Sequence, residues 1–420
     1  MDDWAEGEEK ERSVTLQNAS AKAPVTTPRR VLLLDDEESV LGVLSDYLRS
    51  PHLEIVTCRE IEAAEAILEH AHFDVVVTDL RVSELGGLEG IRLIRFVTTH
   101  FPGTVVLAMS GYVTEEVHAF GRAAGVTAVL EKPLDLPRLR QWVFGDIADN
   151  DEDETDEGPV ADVQPLSEFI AADLVYSVYQ PIIDLSVRDR VQVYGYEALA
   201  RGPGDNPLRN PEILFAYATR KECLLDTDMM CIQAALRDAA PISHAHLFLN
   251  IHPRSLTAPE SPSRIARAVI DGGGDPTRVV IELTEHHAIV NPEAFRHSLD
   301  ELRAHGFRVA IDDFGVGYAN VRLISEIRPD FIKLSGYFAL GAIGDPVRQN
   351  LIGSMTKMAS GLGIPVICEG IEDEEVLEIA RERGVPYGQG YLFARPAPAP
   401  ELAARFGPPA SAGDPDPTDA

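Results

Sequence analysis

The sequence predicts an α/β chain of two bodies: a doubly wound five-stranded parallel sheet, followed by a (β/α)8 barrel. Three observations carry this expectation. Five short apolar runs alternate with amphipathic segments over about 110 residues from Val31. Eight more runs, several separated by helical stretches, occupy roughly 240 residues from Val163. Between the two lies "GDIADNDEDETDEGP", with eight acidic residues and no basic one from Asp146 to Glu157. Strands alternating with helices read as parallel βα units, and eight such units fit a barrel.

Taken in order, residues 1–29 are polar and charged and read as a disordered arm. The first body spans 30–144, with strands expected at "VLLLDD", "LEIVTC", "FDVVVTD", "TVVLAMS" and "TAVLEK". The acidic stretch, 145–162, repels itself and reads as an extended linker. The second body spans 163–406. Its expected strands are "LVYSVYQPI", "VQVYGYEAL", "HLFLNIH", "RVVIELTE", "RVAIDDFG", "FIKLS", "PVICEG" and "YGQGYLF". The tail, 407–420, reads as disordered.

Bulk properties exclude several function classes. A formal net charge of −31 repels nucleic-acid polymers and anionic membrane surfaces. It leaves room for a small anion held through metal ions. Cys58, Cys223, Cys231 and Cys368 form no CxxC pair, so they read as reduced thiols. The start "MDDWAEGEEKERS" lacks a signal-peptide pattern, and no run reaches 18 apolar residues. A cytoplasmic protein without membrane insertion is expected.

In the first body, polar groups end the strands on one edge of the sheet. Asp35 and Asp36 follow strand one, Asp79 strand three, Ser110 strand four and Lys132 strand five. Open α/β sheets bind ligands outside the carboxyl ends of their strands. Three carboxylates there suit one hard divalent cation, and the lysine and hydroxyl suit phosphoryl oxygens. Residues 30–144 resemble the receiver domain of bacterial response regulators. The resemblance implies phosphorylation at Asp79, one Mg2+ held by Asp35, Asp36 and Asp79, and phosphoryl contacts from Ser110 and Lys132. It also implies a cognate sensor histidine kinase and a cis Lys132–Pro133 bond. Val82-Ser83 replaces the family's frequent Met-Pro, and Val129 stands at its aromatic switch position.

In the second body, the strand ends carry Glu197, Asn250, Glu282, the pair Asp312-Asp313, and Glu369, with Lys333 on strand six and Gln389 leading from strand eight. One such carboxylate is usually a cap or turn residue. Their recurrence around one barrel mouth points instead to cations, because unmetallated they would repel strongly. Oxygen-only ligands favour Mg2+ or Mn2+. Two metals ~3.5–4 Å apart would activate water against a phosphodiester. His244 and His246 precede strand three at its wrong end and are not read as ligands, nor are His286 and His287.

The motifs "EALAR", Asn250, "ELTE", "DDFGVGY", Lys333, "CEGIE" and "QGYLF" occur in order. Residues from about 165 to 400 therefore resemble the EAL domain, the bacterial phosphodiesterase of cyclic di-GMP. The resemblance implies a TIM-like barrel with a reversed first strand. It implies two Mg2+ or Mn2+ ions on Glu197, Asn250, Glu282, Asp312, Asp313 and Glu369, with Lys333, Glu369 and Glu197 catalytic. Leu199, Arg201 and Gln389 would bind substrate. Glu285 would position the "DFGVGY" loop, near a dimer interface, so a homodimer is expected. Lys333-Leu334-Ser335 stands where Lys-Ile-Asp is common, Val316 where Thr is common, and His252 where Ser is common. The expected function is a two-component response regulator that hydrolyses cyclic di-GMP to linear pGpG. The alternative is a catalytically weak module acting as a cyclic di-GMP sensor or protein-interaction domain.

Overall fold

The computed structural model describes residues 27–80, 89–111, 114–145, 158–204, 206–284, 291–316 and 320–407 of the 420. The first sheet contains β1 (Arg29–Leu34), β2 (Leu53–Cys58), β3 (Val75–Asp79), β4 (Val105–Ser110), β5 (Ala128–Glu131) and β6 (Val160–Val163). Its order is β5-β4-β3-β1-β2-β6, and every pairing is parallel. The runs "VLLL" and "VVV" are buried on both faces, as a sheet covered by helices on both sides requires. Helices Glu38–Leu48, Ile61–His70, Glu89–His100, Glu115–Ala123 and Leu136–Phe144 follow β1 to β5 in turn.

The sixth strand corrects the linker expectation, which ran through residue 162. Val160–Val163 pairs in parallel with residues 55–58 of β2. Thr57 Oγ1 donates to Asp162 Oδ1 at 2.7 Å, and Val163 is buried. The acidic run stops at Glu157, so the self-repulsion that predicts an extended chain does not reach these residues. They complete the open edge of β2 instead.

The barrel closes from β7 (Tyr176–Asp184), β8 (Val193–Arg201), β9 (His246–Asn250), β10 (Val279–Thr284), β11 (Arg308–Phe314), β12 (Phe331–Leu334), β13 (Val366–Cys368) and β14 (Tyr387–Gly388). β7 is antiparallel to β8 and β14, and all other neighbours are parallel, so the first strand is reversed as expected. Ile182, Phe248, Val280, Ala310, Phe331 and Ile367 form an apolar cluster from six strands. Strand side chains alternate with period two. The residues two positions beyond five of these are Asn250, Glu282, Asp312, Lys333 and Glu369. One alternation thus produces both the apolar plug and a polar layer above it.

The two bodies share an apolar cluster in which Ile61, Ala64 and Leu68 join Ile213, Leu214 and Tyr217. Helix Ile61–His70 packs on helix Pro211–Arg220. Arg220 pairs with Glu65 at 3.4 Å and Glu69 at 2.5 Å, Lys221 with Glu60 at 3.1 Å, and the Tyr217 hydroxyl donates to Glu60. No helix among the described residues is long and apolar enough to cross a membrane.

Candidate active site

Lys333 is the centre of the barrel mouth. Its Nζ lies 2.9 Å from Glu369 Oε1, 3.0 Å from Asp312 Oδ1, 3.1 Å from Glu282 Oε1 and 3.2 Å from Glu197 Oε2. Lys333 and Glu282 have no solvent exposure. Four carboxylates against one ammonium leave the cluster short of positive charge. Burial opposes charge on Lys333, but Asp312, Glu197, Glu282 and Glu369 outweigh it and hold its pKa well above the usual lysine value. Burial, with repulsion from Glu197, Asp312 and Glu369, pushes Glu282 well up against the pull of Lys333. Burial likewise raises Asp312, and raises Glu369 to about 8. Glu197 is the exception. Burial acts against its charge, yet Lys333, Gln389, Asn250 and their hydrogen bonds hold it below the usual range.

Glu197, Glu282 and Asp312 each offer an oxygen within 4.8 Å of the others, the one such group among the described residues. Both Glu282 oxygens are buried; Oε1 has the Lys333 ammonium at 3.1 Å, which it shares with three other carboxylates, and Oε2 has no donor. One ammonium among four desolvated carboxylates leaves room for a further cation. The ligand set contains no nitrogen or sulfur, which fits Mg2+ or Mn2+. Asn250 Nδ2 donates to Glu197 Oε1 at 3.0 Å, keeping its amide oxygen available as an acceptor.

Gln389 and Asp313 are placed differently from the other strand-end groups. Gln389, expected to bind substrate, is buried and donates to Glu197 Oε2 at 2.6 Å and to Gln180 Oε1 at 2.9 Å. It holds a carboxylate rather than lining the cavity. Asp313 is only partly buried, has φ of 55°, and lies outside the three-carboxylate group. The register between β11 and β12 shifts between Ile311 and Phe314, so the adjacent aspartates do not share one environment. Glu285 lies outside the described residues, as do His286 and His287.

Beside the cluster is a cavity of about 620 Å3. Glu197, Leu199, Arg201 and Asn250 line it, with Phe215 and His252, whose ring planes lie 13° apart. Arg201 Nη1 donates to the Ala200 carbonyl at 2.8 Å. Glu69 and His70 of the first body also line this cavity, which the sequence reading did not foresee. Gln180 and Asp228 also belong to this region without a motif that marks them. Gln180 pairs with Glu197 across β7 and β8, and a buried glutamine in "SVYQPI" was its only signal. Asp228 is fully buried, and its carboxylate accepts from the His252 backbone N–H. Burial raises its pKa to about 7 against the hydrogen bonds from Ser255 and His252.

The first body brings together three of its five predicted residues through one cation. Lys132 Nζ lies 2.7 Å from Asp35 Oδ2 and 2.5 Å from Asp79 Oδ2. Ser110 ends β4, and the Lys132 N–H donates to its carbonyl at 2.8 Å. The Lys132–Pro133 bond is cis. Asp35 is buried whereas Asp36 is exposed. His246 begins β9 at the end of the barrel away from Lys333 and packs on Arg308, 2.7 Å from its Nδ1.

A closed barrel with one reversed strand and a carboxylate ring around a buried lysine, joined to a doubly wound sheet with an Asp–Lys–Asp edge, defines a class of two-domain α/β proteins with an acidic site in each domain. The chain belongs to the EAL domain family: residues 163–396 match that family's model, and residues 31–144 match the response regulator receiver domain. It is homologous to the cyclic di-GMP phosphodiesterase RocR of Pseudomonas aeruginosa, 28% identical over 88% of this chain and 96% of that one. The probable cyclic di-GMP phosphodiesterase PdeA of Escherichia coli is 33% identical over 49% of this chain and 29% of its own length. The chain thus spans under a third of PdeA. The EAL domain protein of Listeria monocytogenes EGD-e has the same fold, with TM-score 0.51 and 23% identity over 57% of this chain and 95% of that one.

Proposed function

We propose that this chain is a response regulator whose barrel hydrolyses cyclic di-GMP to linear pGpG, under control of phosphorylation at Asp79. The observation that carries this reading is four buried or partly buried carboxylates, Glu197, Glu282, Asp312 and Glu369, gathered around the single ammonium of Lys333. The residues to hold two divalent ions are Glu197, Asn250, Glu282, Asp312, Asp313 and Glu369. Bound there, Mg2+ or Mn2+ supplies Lewis acidity that polarises a phosphodiester and acidifies the attacking water.

The chain's own residues do the rest. Gln389 and Asn250 fix the two oxygens of Glu197. Lys333 keeps a buried positive charge at the centre of the mouth, where negative charge develops on the reacting phosphate. Burial raises Glu369 to about 8 in the metal-free protein, so a divalent ion binding there near neutral pH would displace its proton and leave a carboxylate ligand. Arg201 offers a guanidinium to substrate phosphate and Leu199 an apolar face. Glu285 is assigned the positioning of the loop beyond β11. In the receiver domain, Asp79 accepts a phosphoryl group from a histidine kinase, with Asp35, Asp36 and Asp79 as the residues that would hold Mg2+ and Lys132 and Ser110 as phosphoryl contacts. The exposed apolar strip Tyr337, Leu340, Ile343, Val347 and Leu351 supports a homodimer.

The sensor reading rests on Ser335, which lacks a carboxylate. Lys333 already contacts four carboxylates, and Ser335 instead caps the helix Gly336–Ala339 through the Tyr337 N–H. Turnover therefore stays the favoured reading. Purified protein with Mg2+ or Mn2+ is expected to convert cyclic di-GMP to pGpG, resolved by chromatography, and Glu197→Ala to abolish it. Nucleotide binding without turnover in either metal would sink the reading.

A further inference from the structure

The cavity at the barrel mouth is not made by the barrel alone. Its wall includes Glu69 and His70, the last two residues of receiver helix Ile61–His70. Both are exposed, so both remain available to a ligand. Their placement is fixed from the barrel side. Arg220 Nη2 holds Glu69 Oε1 at 2.5 Å and leaves Oε2 outside that pair. Glu65 and Glu60 tie the same helix to Arg220, Lys221 and Tyr217. The strand β6, which leads into the barrel, is paired into the receiver sheet beside β2. The receiver is thereby fastened on both sides of this helix.

The chemistry of the two side chains is specific. His70 Nδ1 lies 2.8 Å from the Ala66 carbonyl. A carbonyl only accepts, so Nδ1 carries the proton and the neutral ring presents Nε2 as an acceptor. Glu69 presents carboxylate oxygen. The receiver wall therefore offers acceptors side by side and, in this state, no donor. Guanine carries two adjacent donors on its pairing edge, N1–H and the exocyclic amine. Adenine carries a donor next to an acceptor there. Phe215 and His252 in the same cavity add aromatic faces for a purine. A volume of about 620 Å3 is within the usual range for small-molecule sites.

We propose that the receiver domain completes the nucleotide site in cis, with Glu69 and His70 reading the donor edge of one guanine of cyclic di-GMP. This rests on the cyclic di-GMP reading above and assigns the receiver a role in specificity besides signalling. Arg220 is a positioning residue that orients Glu69. Hydrogen bonds to a guanine donor pair separate it from an analogue lacking one donor, because the acceptor left behind is unpaired.

The test uses the full chain and two probes, cyclic di-GMP and cyclic di-IMP, which lacks the exocyclic amine. Affinity is measured in Ca2+ and turnover in Mn2+. Wild type is expected to bind cyclic di-GMP about tenfold more tightly than cyclic di-IMP. Glu69→Ala and His70→Ala are expected to raise Kd and KM for cyclic di-GMP about tenfold, to leave kcat within twofold, and to shrink the discrimination. Hydrogen exchange supplies an independent readout: nucleotide should slow exchange at 66–72 as well as at the barrel mouth. Unchanged KM and discrimination in both variants, or protection confined to the barrel, overturns the proposal and leaves the phosphodiesterase reading intact. A wild type that neither binds nor cleaves cyclic di-GMP overturns both.

Discussion

Lys333 Nζ lies 2.9 Å from Glu369 Oε1, in a mouth where three other carboxylates approach the same ammonium. Removing one partner of a buried ion pair is costly because the remaining charge is left uncompensated. Lys333→Met should destabilise the metal-free protein by about 3–5 kcal/mol. Divalent cation should restore part of that, since it supplies the missing positive charge. Denaturant unfolding with chelator and with Mn2+ measures both. A Lys333→Met protein as stable as wild type in chelator would mean that the ammonium does not hold the cluster together.

Metal binding and pH should be linked in a definite direction. Glu369 is raised from its ordinary 4.5 to about 8, and Glu282 and Asp312 are raised too. A carboxyl with a raised folded-state pKa adds stability below about pH 4.5 that is lost as pH climbs through 8. Metal ions compensate the charge exposed by that deprotonation. The rise in Tm on adding Mg2+ or Mn2+ should therefore be small at pH 5.5 and larger at pH 8. Glu282→Gln should remove most of it. An equal rise at both pH values would contradict the linkage.

Much of this site was legible because strand periodicity is simple. Glu282, Asp312 and Lys333 each follow an apolar residue two positions earlier, so one alternation fixes plug and ligand layer together. Placement that depends on tertiary contact leaves no such local pattern. Asp312 and Asp313 look equivalent in sequence, and only the register shift in β11 separates them. Val160–Val163 is too short and too close to an acidic run to announce a strand. Glu69 and His70 end an ordinary amphipathic helix, and nothing local says that another domain folds a cavity against them.

At the receiver edge, Lys132 pairs with Asp35 and Asp79. Burial acts against its charge, but hydrogen bonds to both aspartates hold its pKa above the usual lysine value. If this lysine grips an incoming phosphoryl group at Asp79, Lys132→Ala should slow labelling by acetyl phosphate about tenfold or more, given charge-assisted bonds of ~1.5–3 kcal/mol. Asp79→Asn should abolish it. Intact-mass spectrometry reads a one-phosphate gain. Labelling that survives Asp79→Asn would move the phosphoacceptor elsewhere.

Asp228 gives a pH test away from the carboxylate cluster. It is fully buried, and desolvation raises its pKa from 3.8 to about 7 against the hydrogen bonds from Ser255 and the His252 backbone. The folded state therefore binds a proton that the unfolded chain releases near pH 4. The stability gained from that proton is complete below pH 3.8 and disappears as pH rises through about 7. Each pKa unit is worth about 1.4 kcal/mol, so the loss between these limits is on the order of 4 kcal/mol. Asp228→Asn keeps the size and an acceptor but cannot ionise. Unfolding measured from pH 5 to 8 in saturating Mn2+, which suppresses titration at the metal cluster, should show wild type losing stability relative to the variant as pH rises. Parallel curves would show that Asp228 is already ionised in the folded protein, stabilised by donors at Ser255 and His252 more strongly than burial opposes.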